Sequence, residues 1–244
     1  MRLARGALSG VFFLSYGVVG ILFTFLVLPF VRSPRAVRRT VRFLFRVFVA
    51  TGRVTGLFTV AVEGDLSSAA GRVVAMNHLT LIDVIVLMAH LGDATCVVKG
   101  AIRRNPVMSR IVRRIFLAND DDPAVTLAAA TRLLREGVSV IVFPEGTRTP
   151  ADAPEHRLHR GAARLALAAR ADILPVRLAV DPPVLARGQP WWDVGARTVR
   201  YRLAVGSAIP ADGPNDRAGA IALTERLKTA IICGNGCERI ETRE

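Results

Sequence analysis

The hydrophobic pattern separates the first part of the chain from the rest. No charged residue occurs between Gly6 and Val31, and arginines flank this run on both sides. A helix needs about 20 apolar residues to cross a bilayer core, so the run is long enough to span one. A signal peptide has a shorter apolar region and a small-residue cleavage site, and the residues around Val31 offer no such site. We therefore predict a retained membrane segment, either a single span or a re-entrant hairpin.

A second, amphipathic segment follows directly. Apolar residues recur at helical spacing between positions 37 and 48, and arginines fill much of the remaining surface. This pattern is typical of a helix that lies at the level of the lipid headgroups, and cationic clusters of this kind are attracted to anionic lipids. The apolar positions are Val37, Val41, Leu44, Phe45 and Phe48, and the cationic ones are Arg35, Arg38, Arg39, Arg42 and Arg46. Residues 1–55 are predicted to form membrane-anchoring helices.

From about residue 56 onward, short apolar runs alternate with helical patterns. This alternation predicts an α/β fold: a mostly parallel sheet flanked by helices, preceded by the N-terminal helical membrane module. In such sheets, functional sites lie beyond the carboxyl ends of the strands. The predicted strands are 57–64, 72–76, 94–99, 139–143, 173–180 and 199–205, and the predicted helices are 81–91, 106–116, 123–137, 160–170 and 216–232.

Composition narrows the class of protein. Hydrophobic residues make up 51% of the 244 positions, which excludes a disordered chain, and 3 cysteines cannot hold a fold of this size by disulfides. Lys and Arg exceed Asp and Glu by 33 to 20, giving a net charge of +13. This charge favours an anionic partner, either nucleic acid or a membrane. Much of it lies beside the apolar N-terminal run and no nucleic-acid-binding motif is present, so we expect membrane lipids as partners and no nucleic acid.

The first candidate for chemistry follows the second predicted strand. Residues five apart on a regular helix point about 140° away from each other, so His78 and Asp83 can meet only if His78 precedes the helix that contains Asp83. Asp83 would then hold one imidazole nitrogen and leave the other free as a general base.

The second candidate follows the fourth predicted strand, where the chain runs Phe-Pro-Glu-Gly-Thr-Arg over residues 143–148. This segment brings the carboxylate of Glu145, the hydroxyl of Thr147 and the guanidinium of Arg148 close together after the strand. Gly146 permits a tight turn, and Arg148 offers a fork for a phosphate or carboxylate. A helix cap with a surface ion pair is the structural alternative.

Together, these two blocks resemble those of the lysophospholipid acyltransferase superfamily, the glycerophosphate acyltransferase-like proteins. Its first block, Asn-His-x4-Asp, is matched by Asn77, His78 and Asp83, and its third block is matched without change by residues 143–148. A proline within an apolar strand, Pro175, is similar to the fourth block. The N-terminal helices are similar to those of bacterial members, which implies an inner-membrane location with the catalytic domain, residues 56–244, on the cytoplasmic side.

The resemblance implies an enzyme that transfers a fatty-acyl-type group from a thioester to a lipid hydroxyl, such as that of a lysophospholipid or a 1-acylglycerol-3-phosphate. His78, oriented by Asp83, would remove the proton of the attacking hydroxyl. Asn77 and the residues Glu145, Gly146, Thr147 and Arg148 would bind substrate. No bound cofactor and no metal are implied. The acyl donor would be acyl-coenzyme A or an acylated carrier protein, and acyl carrier protein is therefore a candidate partner.

The second block departs from the family pattern. Asn119 stands where glycerophosphate-acylating members have an arginine for the acceptor phosphate, and Asp120 and Asp121 follow it. An asparagine cannot pair with phosphate as a guanidinium does, and nearby carboxylates repel a phosphate group. A phosphate-free acceptor is therefore an alternative. Residues 119–121 and 188–192 also resemble a subgroup from bacterial aryl-polyene lipid pathways.

A further basic group comes from two segments, one after the third predicted strand and one at the start of the predicted helix 160–170. Lys99, Arg103 and Arg104, with His159 and Arg160, are candidates to meet the phosphates of coenzyme A or of a carrier-protein arm. Solvated basic faces are the structural alternative. A non-catalytic membrane scaffold is the alternative from a different functional class, and the intact His78, Asp83 and 145–148 blocks argue against it.

Overall fold

The computed structural model describes residues 2–104, 108–119, 122–150, 153, 156–192 and 194–233. The apolar N-terminal run forms helix α1 (Arg2–Leu22), which continues through a π-helical turn (Phe23–Val27). Within the described residues, Ala4–Val27 is the one helix long and apolar enough to cross a membrane, and most of its surface is exposed. Length and composition therefore match the predicted membrane segment.

Helix α2 (Pro34–Val54) turns back along α1 and forms a hairpin with it. Pro34 occupies the first turn, where a missing N–H leaves no hydrogen bond unmade. The hairpin is joined by aromatic packing: the ring centroids of Phe12 and Phe48 lie 4.8 Å apart. Apolar residues at the far end of the hairpin, including Phe23 and Val41, pack into a smaller cluster.

One arginine of α2 does not lie where the charge pattern predicts. The side chain of Arg38 is 8% exposed, and its Nε and Nη2 donate to the two carboxylate oxygens of Asp93 at 2.5 and 2.9 Å. The prediction of a headgroup-facing Arg38 is wrong, because Asp93 lies across from α2 and supplies a tertiary partner that spacing along one helix cannot reveal. Arg39 and Arg46 are exposed, as predicted.

The strands in the described part of the chain form one 7-stranded sheet in the order β1-β7-β6-β2-β5-β3-β4. Every neighbouring pair is parallel except β6 and β7, which are antiparallel. The predicted mostly parallel sheet is confirmed. The strands are β1 (Phe58–Glu63), β2 (Val73–Met76), β3 (Ala94–Val98), β4 (Leu117–Ala118), β5 (Ser139–Val142), β6 (Ile173–Asp181) and β7 (Val199–Val205).

Helices cover both faces of the sheet, and β2 shows how the sequence achieves this. Successive side chains of a strand point to opposite faces, and all four residues of Val73–Met76 are buried. Val74 and Met76 pack into the cluster that contains the hairpin rings, whereas Val73 and Ala75 pack into the cluster on the other face. A near-continuous apolar run is what a strand covered on both sides requires.

Over the described ranges, the remaining helices agree with the predicted ones in number and order, with shifted ends. They are α3 (Asp83–His90), α4 (Met108–Ile115), α5 (Pro123–Arg135), α6 (Gly161–Ala169) and α7 (Arg217–Lys228). Short 3-10 segments occur at Ser67–Ala69 and Gly100–Arg104, and a π-helical turn at Thr229–Cys233 follows α7. Strand β4 was not predicted, since two residues carry no detectable alternation.

Candidate active site

His78 and Asp83 meet at the carboxyl end of β2, at the centre of the sheet. His78 lies in the loop after Met76, and α3 begins at Asp83, two residues later than the sequence predicts. The imidazole Nδ1 lies 2.8 Å from Asp83 Oδ2. An ionised carboxylate only accepts hydrogen bonds, so Nδ1 carries the proton and Nε2 keeps its lone pair. Because Nδ1 is bound to Asp83, Nε2 is the basic atom of the pair, and the His78 side chain is 23% exposed.

Asp83 is fully buried, and its charge is compensated by the loop that precedes α3. Its Oδ2 accepts from the backbone N–H groups of Leu79 and Thr80 at 2.7 and 2.8 Å, and its Oδ1 accepts from the Thr80 hydroxyl. A buried charge is tolerated only when it is hydrogen-bonded in this way. The loop therefore fixes the carboxylate, and the carboxylate fixes the imidazole.

Asn77 fastens the same loop to the neighbouring strand. Its Nδ2 donates to the carbonyl of Leu178 at 2.9 Å, and its Oδ1 accepts from the N–H of Leu178 at 2.7 Å. Both polar groups of the amide are thus used on the backbone of β6. The structure gives Asn77 a positioning contact, and its predicted contact with substrate stays a prediction.

The segment after β5 forms the wall beside His78. The ring of Phe143 stacks on the imidazole, with centroids 4.4 Å apart and an interplanar angle of 29°. The N–H of Thr149 donates to the carbonyl of His78 at 2.8 Å. The two sequence blocks are therefore in direct contact at the ends of adjacent strands β2 and β5.

Gly146 makes the turn in this wall possible. Its φ is +66°, and a Cβ at this position would lie 3.1 Å from Cδ2 of His159. A side chain would therefore meet both an unfavourable backbone conformation and a close neighbour. The turn carries the chain past His159, whose N–H donates to the carbonyl of Pro144 at 2.7 Å.

Glu145 is turned away from solvent. Its side chain is 1% exposed, and Oε1 lies 3.6 Å from Nδ1 of His156. Neither carboxylate oxygen accepts a hydrogen bond of ordinary geometry from the described residues. Burial raises the pKa of Glu145, and Thr149 and His156 oppose this effect only in part. Glu145 thus lies behind the wall, although the sequence predicts a substrate contact for it.

Arg148 holds a neighbouring loop as well as facing the site. Its Nη1 donates to the carbonyls of Leu185 and Ala186 at 3.1 and 3.4 Å. These residues belong to the connection between β6 and β7. Arg148 and Thr147 both line the cavity described next.

A cavity of about 830 Å³ opens in front of His78. One part of its wall is apolar and includes Leu81, Val84 and Val98, whereas another part is cationic. This combination suits a substrate with an aliphatic part and an anionic part. The polar or charged side chains on the wall are those of His78, Lys99, Asn119, Thr147, Arg148, His159 and Arg187.

The predicted basic group is only partly brought to this cavity. Lys99 and His159 line it; among the described residues of the wall, Arg160 is absent. Arg160 instead occupies the N-cap position of α6. The side chains of Arg103 and Arg104, like Asp120 and Asp121, lie outside the described residues.

Asn119 uses its side chain within the protein. Its Oδ1 accepts from the N–H of Gly100 at 3.1 Å, which ties the end of β4 to the turn after β3. The residue also lines the cavity. An amide in this position supports the loop that carries Lys99 but supplies no cation.

The described wall contains one thiol, that of Cys96. Burial raises the pKa of this thiol, so that the thiolate is strongly disfavoured. The thiol is therefore a poor nucleophile, and the arrangement around His78 instead suits direct attack by a substrate hydroxyl.

Sequence reasoning missed two residues of this site. Thr80 donates to Asp83, and its position three residues before an acid at a helix start is a recognisable capping signal. Arg187 lines the cavity from the distant β6–β7 connection. Only the glycine and prolines around it mark that segment as a loop, and nothing local predicts where the loop packs.

The comparisons with known proteins agree with this geometry. The acyltransferase family model matches residues 58–179, which include both blocks. No curated protein sequence matches the chain.

The fold is similar to that of the 1-acyl-sn-glycerophosphate (LPA) acyltransferase PlsC from Thermotoga maritima. The TM-score is 0.70 at 20% sequence identity, and the match covers 94% of this chain and 96% of that one. The N-terminal hairpin is therefore included in the shared architecture.

Proposed function

Since the chain belongs to the acyltransferase family, we propose that it transfers an acyl group from a thioester to the hydroxyl of a lysophospholipid at a membrane. The observation that carries this proposal is the His78–Asp83 pair, whose imidazole lines a cavity with both apolar and cationic side chains. The pair supplies a base, and the cavity suits a lipid with an anionic headgroup.

The reaction needs no covalent enzyme intermediate. His78 Nε2 accepts the proton of the acceptor hydroxyl while the hydroxyl oxygen attacks the thioester carbonyl carbon. The carbon–sulfur bond then breaks, and the protonated imidazole returns its proton to the leaving thiolate. Asp83 stabilises the imidazolium between these two steps, and the products are an ester and a free thiol.

The membrane assignment rests on the surface of the hairpin. On α2, Phe43 and Val54 are 62% and 87% exposed, and they share a strip with Val47 that adjoins the exposed arginines. An apolar strip beside a cationic one suits the boundary between acyl chains and phosphates. Leu14 on α1 and Leu26 in the π-helical turn after it are also exposed, so the hairpin presents further apolar surface.

The hairpin thus supports a membrane-bound enzyme whose cavity receives its acceptor from the bilayer. The arginines of α2 favour a cytoplasmic location for this side of the protein, since basic residues accumulate there. We accordingly propose a bacterial-type inner-membrane enzyme with residues 56–244 in the cytoplasm. Membrane lipids are its partners, and acyl-coenzyme A or an acylated carrier protein is its donor.

Asn119 supports one alternative acceptor. The amide supplies no cation where glycerophosphate-acylating relatives are expected to have an arginine, which favours a phosphate-free hydroxyl lipid, as in an aryl-polyene or glycolipid pathway. The cations that line the cavity, Lys99, Arg148 and Arg187, favour the phosphate-bearing acceptor.

The test is an acyl-transfer assay with detergent-solubilised full-length protein. Acyl-coenzyme A and acyl carrier protein thioesters are offered in turn with lysophosphatidic acid or with 1-acylglycerol, and the acylated lipid is identified by mass spectrometry. We expect acylation of lysophosphatidic acid. Acylation of 1-acylglycerol alone would support the alternative, and no acyl transfer with any pair would contradict both.

A further inference from the structure

The connection between β6 and β7 is packed against the active site. The carbonyl of Leu185 accepts from the N–H of Leu81, in the loop before α3, and from Arg148 Nη1, both at 3.1 Å. Leu185 itself is 2% exposed and has a φ of 53°, which is unfavourable for a residue with a Cβ. A strained residue persists only where its surroundings hold it in place. This connection is therefore a fixed part of the wall.

The next turn of this connection is closed by its own hydrogen bonds. The N–H of Ala186 donates to Gln189 Oε1 at 3.1 Å, and the N–H of Gln189 donates to the carbonyl of Ala186 at 3.2 Å. Gly188, with a φ of +87°, allows the chain to reverse. Arg187 lies between these residues and lines the cavity that contains His78.

Arg187 and Lys99 differ from Arg148, the third cation of the described wall, in their contacts. Among the described residues, neither side chain has a hydrogen-bond or ion-pair partner, whereas Arg148 donates to two carbonyls. In the described part of the wall, no carboxylate faces them. Unpaired cations on a wall whose described residues include no carboxylate suit an anion, and a guanidinium matches phosphate through paired hydrogen bonds.

We propose that Arg187, together with Lys99, binds a phosphate group of a substrate. These two side chains supply the positive charge that the Asn119 amide lacks. This inference rests on the proposed function and identifies a specificity residue for it. The phosphate belongs either to the headgroup of the acceptor or to the thioester donor, and the kinetic constants for the two substrates distinguish these sources.

The experiment compares wild-type protein with Arg187→Gln, Arg187→Lys and Arg217→Gln, each as the full chain in detergent. Arg217 is an exposed arginine at the start of α7 and serves as a matched control. Lysophosphatidic acid and the acyl thioester are each varied at a saturating concentration of the other. Loss of a charged hydrogen bond raises KM by about tenfold or more, so Arg187→Gln should show this increase for one substrate while kcat changes little.

An increase for lysophosphatidic acid places the phosphate on the acceptor, and an increase for the thioester places it on the donor. Arg187→Lys should recover part of the affinity, because the charge remains, and Arg217→Gln should behave as wild type. An unchanged KM for both substrates in Arg187→Gln, or a loss confined to kcat, would overturn the inference. Wild-type transfer to lysophosphatidic acid in the same assay shows separately whether the proposed function holds.

Discussion

Replacing Asp83 by asparagine removes one charge while preserving the shape of the side chain. An asparagine can keep its oxygen at the Oδ2 position, where it accepts from His78 Nδ1 and from the N–H groups of Leu79 and Thr80. The amide nitrogen then faces the Thr80 hydroxyl, which can accept a hydrogen bond. We therefore expect Asp83→Asn to fold and to keep the imidazole in place.

The effect on catalysis follows from the charge. His78 becomes an imidazolium while it holds the proton, and its Nδ1 lies 2.8 Å from a carboxylate that is fully buried. Two unit charges about 4 Å apart attract by about 4 kcal/mol at an effective dielectric constant of about 20. Losing most of this attraction in the transition state lowers kcat by roughly 100-fold to 1,000-fold.

The assay measures kcat for acyl transfer at saturating thioester and acceptor, with thermal unfolding recorded for each variant. Asp216→Asn is a matched control, because Asp216 caps α7 by accepting from the N–H of Gly219 at 2.8 Å and asparagine caps a helix about equally well. That control should retain wild-type kcat. A kcat for Asp83→Asn within threefold of wild type, taken as about 0.6 kcal/mol, would refute the role assigned to the charge.

Two further predictions concern stability. Burial raises the pKa of Glu145 above its usual 4.5, so the wild type loses stability as pH rises from that value through the folded-state pKa. The free energy of unfolding of Glu145→Gln relative to wild type should therefore increase as pH rises through this range. A difference independent of pH in denaturant titrations would contradict this. Arg38→Leu should lower the free energy of unfolding by about 2 kcal/mol, because Asp93, 26% exposed, then keeps only Arg35, at 3.8 Å, as an ionic partner among the described residues. An unchanged midpoint of thermal unfolding would contradict the pairing.

Much of the fold could be predicted from local pattern. Apolar runs such as Val73–Met76 identify strands covered on both faces, and the carboxyl ends of these strands place His78 beside residues 143–148. The contact between His78 and Asp83 was predicted because spacing excludes it on one regular helix and permits it across a helix start.

The rest depended on tertiary contacts that no local pattern records. The burial of Arg38 follows from Asp93, more than 50 residues away, and the amide of Asn77 is used by Leu178 on another strand. Arg187 reaches the cavity because Arg148 and Leu81 hold its loop. Arginine and asparagine usually lie on the surface of a protein. Only the packing of distant segments gives these three side chains their structural roles.

The most direct test of the account is the initial rate of acyl transfer by His78→Ala, measured beside wild type at saturating thioester and lysophosphatidic acid. His78→Ala removes the imidazole that accepts the hydroxyl proton, so kcat should fall by about 1,000-fold or more. The midpoint of thermal unfolding and recovery in the membrane fraction should stay close to those of wild type. A folded His78→Ala variant that retains turnover within tenfold of wild type, about 1.4 kcal/mol, would contradict the assignment of His78 as the general base.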